Sequence, residues 1–303
     1  MAVALDAPDG KRVLLVRHGH STYNAWRERS LHTCMCLCAT WEDHDAPLSD
    51  KGRRQVNQLR KKVCSQGLHR EVQLVVTSPL TRAIDTARGA FWGVLPDGTA
   101  DHPDASCSGR MPMVVLASIA ERLDTACDIG RPASELGGLY QDVDFGLLQE
   151  HWWYGGEANW PAPGQPHEKE PWSACQRRIT ETIEWLQERP ETCIAVVGHS
   201  AFFQAMTGSW AKMPNCGIVE IRVPPAARVE LPAQRDRLAP SPETRESERP
   251  PPSSSPQQLA PSATPTVRIV TRTRLVCAPQ PAPAPVAVMR PPYKYVRVAA
   301  SSN

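Results

Sequence analysis

Arg17-His18-Gly19-His20-Ser21 directly follows the apolar run Val13-Leu14-Leu15-Val16, and Gly198-His199-Ser200 follows Ile194-Ala195-Val196-Val197 in the same way. Each run reads as a buried strand whose carboxyl end delivers a histidine to the edge of a sheet. A neutral imidazole nitrogen is a competent nucleophile at physiological pH, and a second imidazole with an arginine nearby can help neutralise an anion. The two motifs therefore predict a pocket in which a phosphate is attacked and its charge held, provided the two strand ends meet.

Such a meeting needs a sheet, and the chain has the strands for one. Runs rich in Val, Ile and Leu predict strands over Arg12–Arg17, Gln73–Thr77, Met113–Ile119, Cys193–Val197 and Gly217–Val223. Helices are predicted between them. Ser49-Asp50 is an N-cap for Lys51–Gln66, where Val56, Leu59 and Val63 recur at helical spacing. Pro79 suits the first turn of a helix reaching about Phe91, with Ile84 and Ala87 inward. Trp172–Glu188 carries Ile179, Ile183 and Leu186 at the same period and stops before Pro190. Continuous apolar strands alternating with helices predict an α/β sandwich with a mainly parallel sheet, and such sheets bind ligands beyond the carboxyl ends of their strands. Both histidine motifs and Thr77-Ser78-Pro79 fall there. Asp97–Arg110 and His151–Lys169 lack a period and read as loops over that face.

Of the 30 prolines in 303 residues, 17 lie in Pro224–Asn303, which cannot bury enough apolar surface to offset ordering of the chain. The expectation is a short arm over 1–10, one globular domain over 11–223 and a mostly disordered Pro-rich tail over 224–303. The tail also holds 11 of the 34 Lys and Arg against 5 of the 32 Asp and Glu, leaving the rest of the chain slightly acidic. That charge balance argues against a nucleic-acid-binding domain. With no apolar run of about 18 residues and no basic, apolar leader, a soluble cytoplasmic protein with no membrane association is the expectation. The ten cysteines are scattered apart from Cys34-Met35-Cys36-Leu37-Cys38, whose alternation lacks the spacing of a zinc site. No metal and no cofactor are expected.

Taken in order, Arg17-His18-Gly19-His20-Ser21 with Asn24, Pro47-Leu48 with Gly52, Ser78-Pro79-Leu80-Thr81-Arg82-Ala83 with Thr86-Ala87, and Gly198-His199-Ser200 resemble the histidine phosphatase superfamily, in its phosphoglycerate mutase-like branch. The resemblance covers most of residues 12–223. It implies a three-layer α/β/α sandwich of the phosphoglycerate mutase-like type, and a metal-independent phosphatase that hydrolyses small phosphomonoesters through a phosphohistidine.

On that reading His18 is the nucleophile, and Arg17, Arg82 and His199 clamp the non-bridging oxygens, since phosphoryl transfer leaves little for a protein to do beyond positioning and charge stabilisation. By resemblance Asn24 also contacts the phosphoryl group. A leaving alkoxide needs a proton, and Glu121 is the candidate acid, because Glu121-Arg122-Leu123 with Cys127-Asp128 resembles the Glu-containing segment of plant and fungal members. Ser21 reads as a turn cap. His20 is read either as a rim residue or as a third imidazole, and Trp152-Trp153-Tyr154 as a loop anchor or a stacking platform. Glu135 and Glu157 are expected on the surface, and Glu168 is expected to pair with Arg177 or Arg178. Two other functions are weighed: a phosphate-shuttling mutase, and a weakly active scaffold whose Pro-rich tail engages a protein partner as polyproline II.

Overall fold

In the computed structural model, which describes residues 10–32, 41–94, 111–162 and 165–225, five strands form one sheet: β1 (Lys11–Arg17), β2 (Leu74–Thr77), β3 (Met113–Val115), β4 (Cys193–Gly198) and β5 (Ile218–Val223). The expected arm up to residue 9, the Cys34–Cys38 cluster, the Asp97–Arg110 loop and the Pro-rich tail beyond residue 225 lie outside the described residues.

Side chains alternate along a strand, so a strand buried on both faces must be apolar at every position. In β1, Leu14 and Val16 pack into one core with Val75, Ala195 and Val197, while Val13 and Leu15 pack into a second core with Leu74, Val76, Ile194 and Val196. Leu59 and Val63 of α2 (Asp50–Ser65), Leu68 of α3 (Leu68–Glu71) and Ile84 and Ala87 of α4 (Thr81–Ala87) cover the first face. Ile179, Ile183 and Leu186 of α6 (Trp172–Glu188) and Phe202, Phe203 and Met206 of α7 (Ser200–Thr207) cover the second. The molecule is thus the expected three-layer α/β/α sandwich. Each fully buried Val, Leu or Ile contributes roughly 1.5–3 kcal/mol relative to exposure, and both faces of β1 and β4 are filled.

The sheet runs in the order β3-β2-β4-β1-β5. All neighbours are parallel except β1 and β5, which are antiparallel. β3 is shorter than the predicted Met113–Ile119. Its last ladder bond runs from Leu116 N to Thr77 O at 3.0 Å, where β2 itself ends, and Ala117–Ile119 then forms a 3-10 turn. α4 begins at Thr81, after the extended Leu80, and passes into a wider π turn at Arg88–Trp92 instead of continuing as one helix from Pro79. Four α-helices among the described residues have no counterpart among the predicted elements: α1 (Thr22–His32), α3, α5 (Ala133–Leu139) and α7. Ser21 does cap α1, accepting from Asn24 N at 3.1 Å while Asn24 Oδ1 accepts from Ser21 N at 3.1 Å.

α2 begins against the loop that follows β1. Ser49 caps it by accepting from Gly52 N at 3.2 Å, and Ser49 N donates to His20 O at 2.9 Å. A Cβ on Gly52 would lie 2.0 Å from that same His20 carbonyl oxygen, a backbone atom that cannot rotate away. Gly52→Ala is therefore expected to push α2 off the His18 loop at a cost of about 1–3 kcal/mol. Thermal unfolding checks this, with an expected fall of roughly 3–10 °C in Tm.

Candidate active site

Parallel register brings the two histidines together. β1 pairs with β4 so that Arg17 lies opposite Gly198, which makes His18 and His199 lateral neighbours one residue beyond the paired strands. His18 N extends the ladder by donating to Gly198 O at 2.9 Å. The two rings lie with centroids 5.1 Å apart and planes inclined by 52°. Both residues are buried.

Each ring is oriented by a specific contact. His18 Nδ1 lies 2.7 Å from the Gly19 carbonyl oxygen, which can only accept, so the proton of the neutral ring sits on Nδ1 and the lone pair on Nε2. His199 Nε2 contacts Ser78 Oγ at 2.8 Å, while its Nδ1 is buried without a partner among the described residues. Burial, then the positive charges of Arg82 and Arg17, hold His18 well below the usual imidazole pKa. Burial, Arg82 and His18 do the same to His199. Both rings are neutral at pH 7.

Both arginines act on the two histidines and on each other. Arg17 at the end of β1 donates Nη1 to Met213 O at 2.6 Å, and its buried Nε has no partner among the described residues. Arg82, in the first turn of α4, donates Nη1 to Cys127 O at 2.7 Å and Nη2 to Asp128 Oδ1 at 3.0 Å. Thr86 on the same helix accepts from Gly19 N at 2.9 Å and donates to Arg82 O at 2.7 Å, coupling α4 to the histidine loop. Asp45, fully buried and in the left-handed region at φ 44°, accepts from Thr81 N at 2.9 Å and so caps α4 one residue before Arg82.

Glu121 lies at the amino end of α7. Its carboxylate accepts from Phe202 N at 3.0 Å, Ala201 N at 3.3 Å and Arg122 N at 3.1 Å. These bonds and Arg82 favour ionisation, but burial and the charge of Asp128 outweigh them and hold the carboxyl above its usual pKa. Asn24 Oδ1 also faces Asn215 Nδ2 at 3.4 Å, and Asn215 Nδ2 donates to His18 O at 3.0 Å. His18 and His199 lie side by side, Arg17, Arg82 and Glu121 act on this cluster electrostatically, and Asn24 connects to His18 through Asn215.

Several other residues stand elsewhere than expected. His20 is neither a rim residue nor a third site imidazole. Its buried ring joins two helices, with Nδ1 2.7 Å from Ser49 Oγ and Nε2 3.1 Å from Glu28 of α1. The ion pair near α6 is Glu170–Arg178 at 2.7 Å, whereas Glu168 accepts from Tyr154 Oη at 3.3 Å. Trp152 and Trp153 are core residues and Trp152 Nε1 donates to Arg131 O at 2.9 Å, so they anchor the 151–169 loop. Glu135 and Glu157 are exposed. Among the described residues, no group of three or more His, Cys, Asp or Glu is arranged to hold a metal ion, and no helix is long and apolar enough to cross a membrane.

The supporting contacts escaped sequence reasoning to different degrees. Ser78 follows β2 at the sheet edge that carries both histidines, a usable signal. Met213 acts through its backbone carbonyl and gave none. Asp128 neutralises the buried Arg82, and breaking a buried pair strands its partner's charge at a cost of about 3–5 kcal/mol. Asp128→Ala should accordingly lower the denaturant midpoint markedly, and an unchanged midpoint contradicts the pairing.

The chain has relatives among known proteins. It is 30% identical over 217 residues to the "Phosphoglycerate mutase-like protein" of Arabidopsis thaliana, covering 67% of this chain and 75% of that protein. "Phosphoglycerate mutase-like protein 1" of the same plant is 32% identical over 214 residues, with 63% and 69% covered. A "Probable phosphatase" of Schizosaccharomyces pombe is 23% identical over 189 residues, with 62% and 74% covered. Residues 13–93 and 138–240 match the family model for the histidine phosphatase superfamily, branch 1. With that match spanning more than half of its length, the chain belongs to the histidine phosphatase superfamily.

Proposed function

We propose that the protein is a metal-independent phosphatase that hydrolyses small phosphomonoesters through a phosphohistidine on His18. The observation that carries this reading is the pair of neutral, buried imidazoles 5.1 Å apart with Arg17 and Arg82 beside them. The proton on His18 Nδ1 is held by Gly19 O, so Nε2 attacks phosphorus while the bond to the ester oxygen breaks. Arg17, Arg82, His199 and the amide of Asn24 donate to the three non-bridging oxygens, where guanidinium forks are well matched to phosphate. Glu121, whose protonated form is favoured by burial and by the charge of Asp128, gives its proton to the departing oxygen. The resulting carboxylate then takes a proton from the water that attacks the phosphohistidine, which returns His18 neutral, releases phosphate and restores the acid.

A screen over sugar phosphates, phosphoglycerates, nucleotides and phosphoproteins with EDTA present tests this reading. Phosphate release from at least one small ester is the expected result. Isomerisation of a phosphoglycerate with no net phosphate release would replace hydrolysis by the mutase reading, and loss of all activity on adding EDTA would overturn metal independence.

A further inference from the structure

The mouth of the site carries two cations that the proposed reaction does not use. Arg27 lies three residues beyond Asn24 on α1, hence on the same face one turn along. Lys212 precedes Met213, whose carbonyl holds Arg17, and stands three residues before Asn215, which bonds both His18 O and Asn24. The segment 212–215 is therefore stitched to Arg17, His18 and Asn24, with Asn215 against the first turn of α1. Both side chains are exposed, and among the described residues neither has a carboxylate within ion-pair distance.

The local charge is unbalanced. Partial burial, then repulsion by Arg17 and by Arg27, lowers the Lys212 ammonium pKa, and the only opposing influence on it is Glu121. Other surface cations nearby are neutralised within the fold: Lys51 meets Glu28 at 3.2 Å, and Lys169 and Arg122 meet Asp124 at 3.2 and 3.1 Å. Arg17 and Arg82 are the guanidinium groups of the proposed phosphoryl clamp, and Arg27 and Lys212 stand outside it. Like charges held together without counter-charges are a recognition surface for an anion, since they repel one another until one arrives.

We propose that Arg27 and Lys212 form a subsite for a second anionic group of the substrate, beside Asn24 and Asn215 and outside the phosphoryl clamp. This rests on the phosphatase reading and narrows it. The preferred substrates are phosphomonoesters whose alcohol portion carries a further negative charge, in preference to esters of neutral alcohols.

Non-hydrolysable phosphonates test the subsite without turnover. Calorimetric titration at low ionic strength compares propylphosphonate with 3-phosphonopropionate, which differ by a methyl against a carboxylate. The wild-type protein should bind the carboxylate compound about tenfold more tightly, the size of one to two modest ion pairs. In the double variant Arg27→Gln, Lys212→Gln the two affinities should agree within about twofold, with that for propylphosphonate unchanged. Equal wild-type affinities, or a preference that survives in the double variant, overturn the subsite while leaving the phosphatase reading intact. Failure of both compounds to bind at millimolar concentration instead overturns the phosphate pocket, and the subsite with it.

Discussion

His18→Ala is expected to lower phosphate release by more than about 10⁴-fold, because removing a covalent nucleophile eliminates the pathway rather than weakening one contact. The same change should abolish transfer of label from a phosphorylated substrate to the protein. In the wild type that label should be acid-labile and alkali-stable, as a phosphoramidate is. Label persisting in the alanine variant would place the nucleophile at another residue. Fold loss is a separate matter and is read independently: His18 N and O keep their backbone bonds to Gly198 and Asn215, so the near-native thermal transition should survive.

Glu121→Gln has the second largest expected effect, and its size should depend on the substrate. An alkoxide leaves poorly without a proton, so alkyl phosphates should slow by about 10² to 10⁴-fold, whereas aryl phosphates, whose phenolates leave unaided, should slow by about tenfold or less. The pH profile carries the sign. The carboxyl is held above its usual pKa, so its protonated form persists upward in pH and activity on alkyl phosphates should fall as pH rises through that raised value. His18 is depressed well below its usual value, so the neutral nucleophile is lost only in acid, which sets the rising limb at low pH. The glutamine variant should keep the rising limb and lose the falling one. Equal slowing of alkyl and aryl esters would move the acid elsewhere.

Much of the fold was legible because parallel strands buried on both faces must be uniformly apolar. Val13 to Val16 and Ile194 to Val197 have no other economical explanation, and α2 and α6 announce themselves by a one-sided apolar stripe. α1 was not legible, since Thr22–His32 mixes Tyr23, Trp26 and Leu31 with charges and lacks an acidic first turn. β3 was overread because an apolar run continues to Ile119 while the partner that would hydrogen-bond it stops at Thr77. In the site, residues placed by strand ends were readable: His18, Arg17 and His199 each depend on where an apolar run stops. Of the residues placed by loops, Glu121 was reached only through the family resemblance. Glu170 was passed over for Glu168 two positions earlier, because nothing local distinguishes which carboxylate meets Arg178, and His20 was misassigned because its partners, Ser49 and Glu28, come from two separate helices.

The position of β1 between β4 and β5 has a consequence for biosynthesis. β1 finds its neighbours only when residues 193–198 and 218–223 have followed it from the ribosome, so until then both of its edges stand open. Long-range pairing of this kind slows folding and exposes apolar edges to self-association. Chains released before Cys193 would present an unpaired, aggregation-prone Val13–Val16 segment and no assembled pocket.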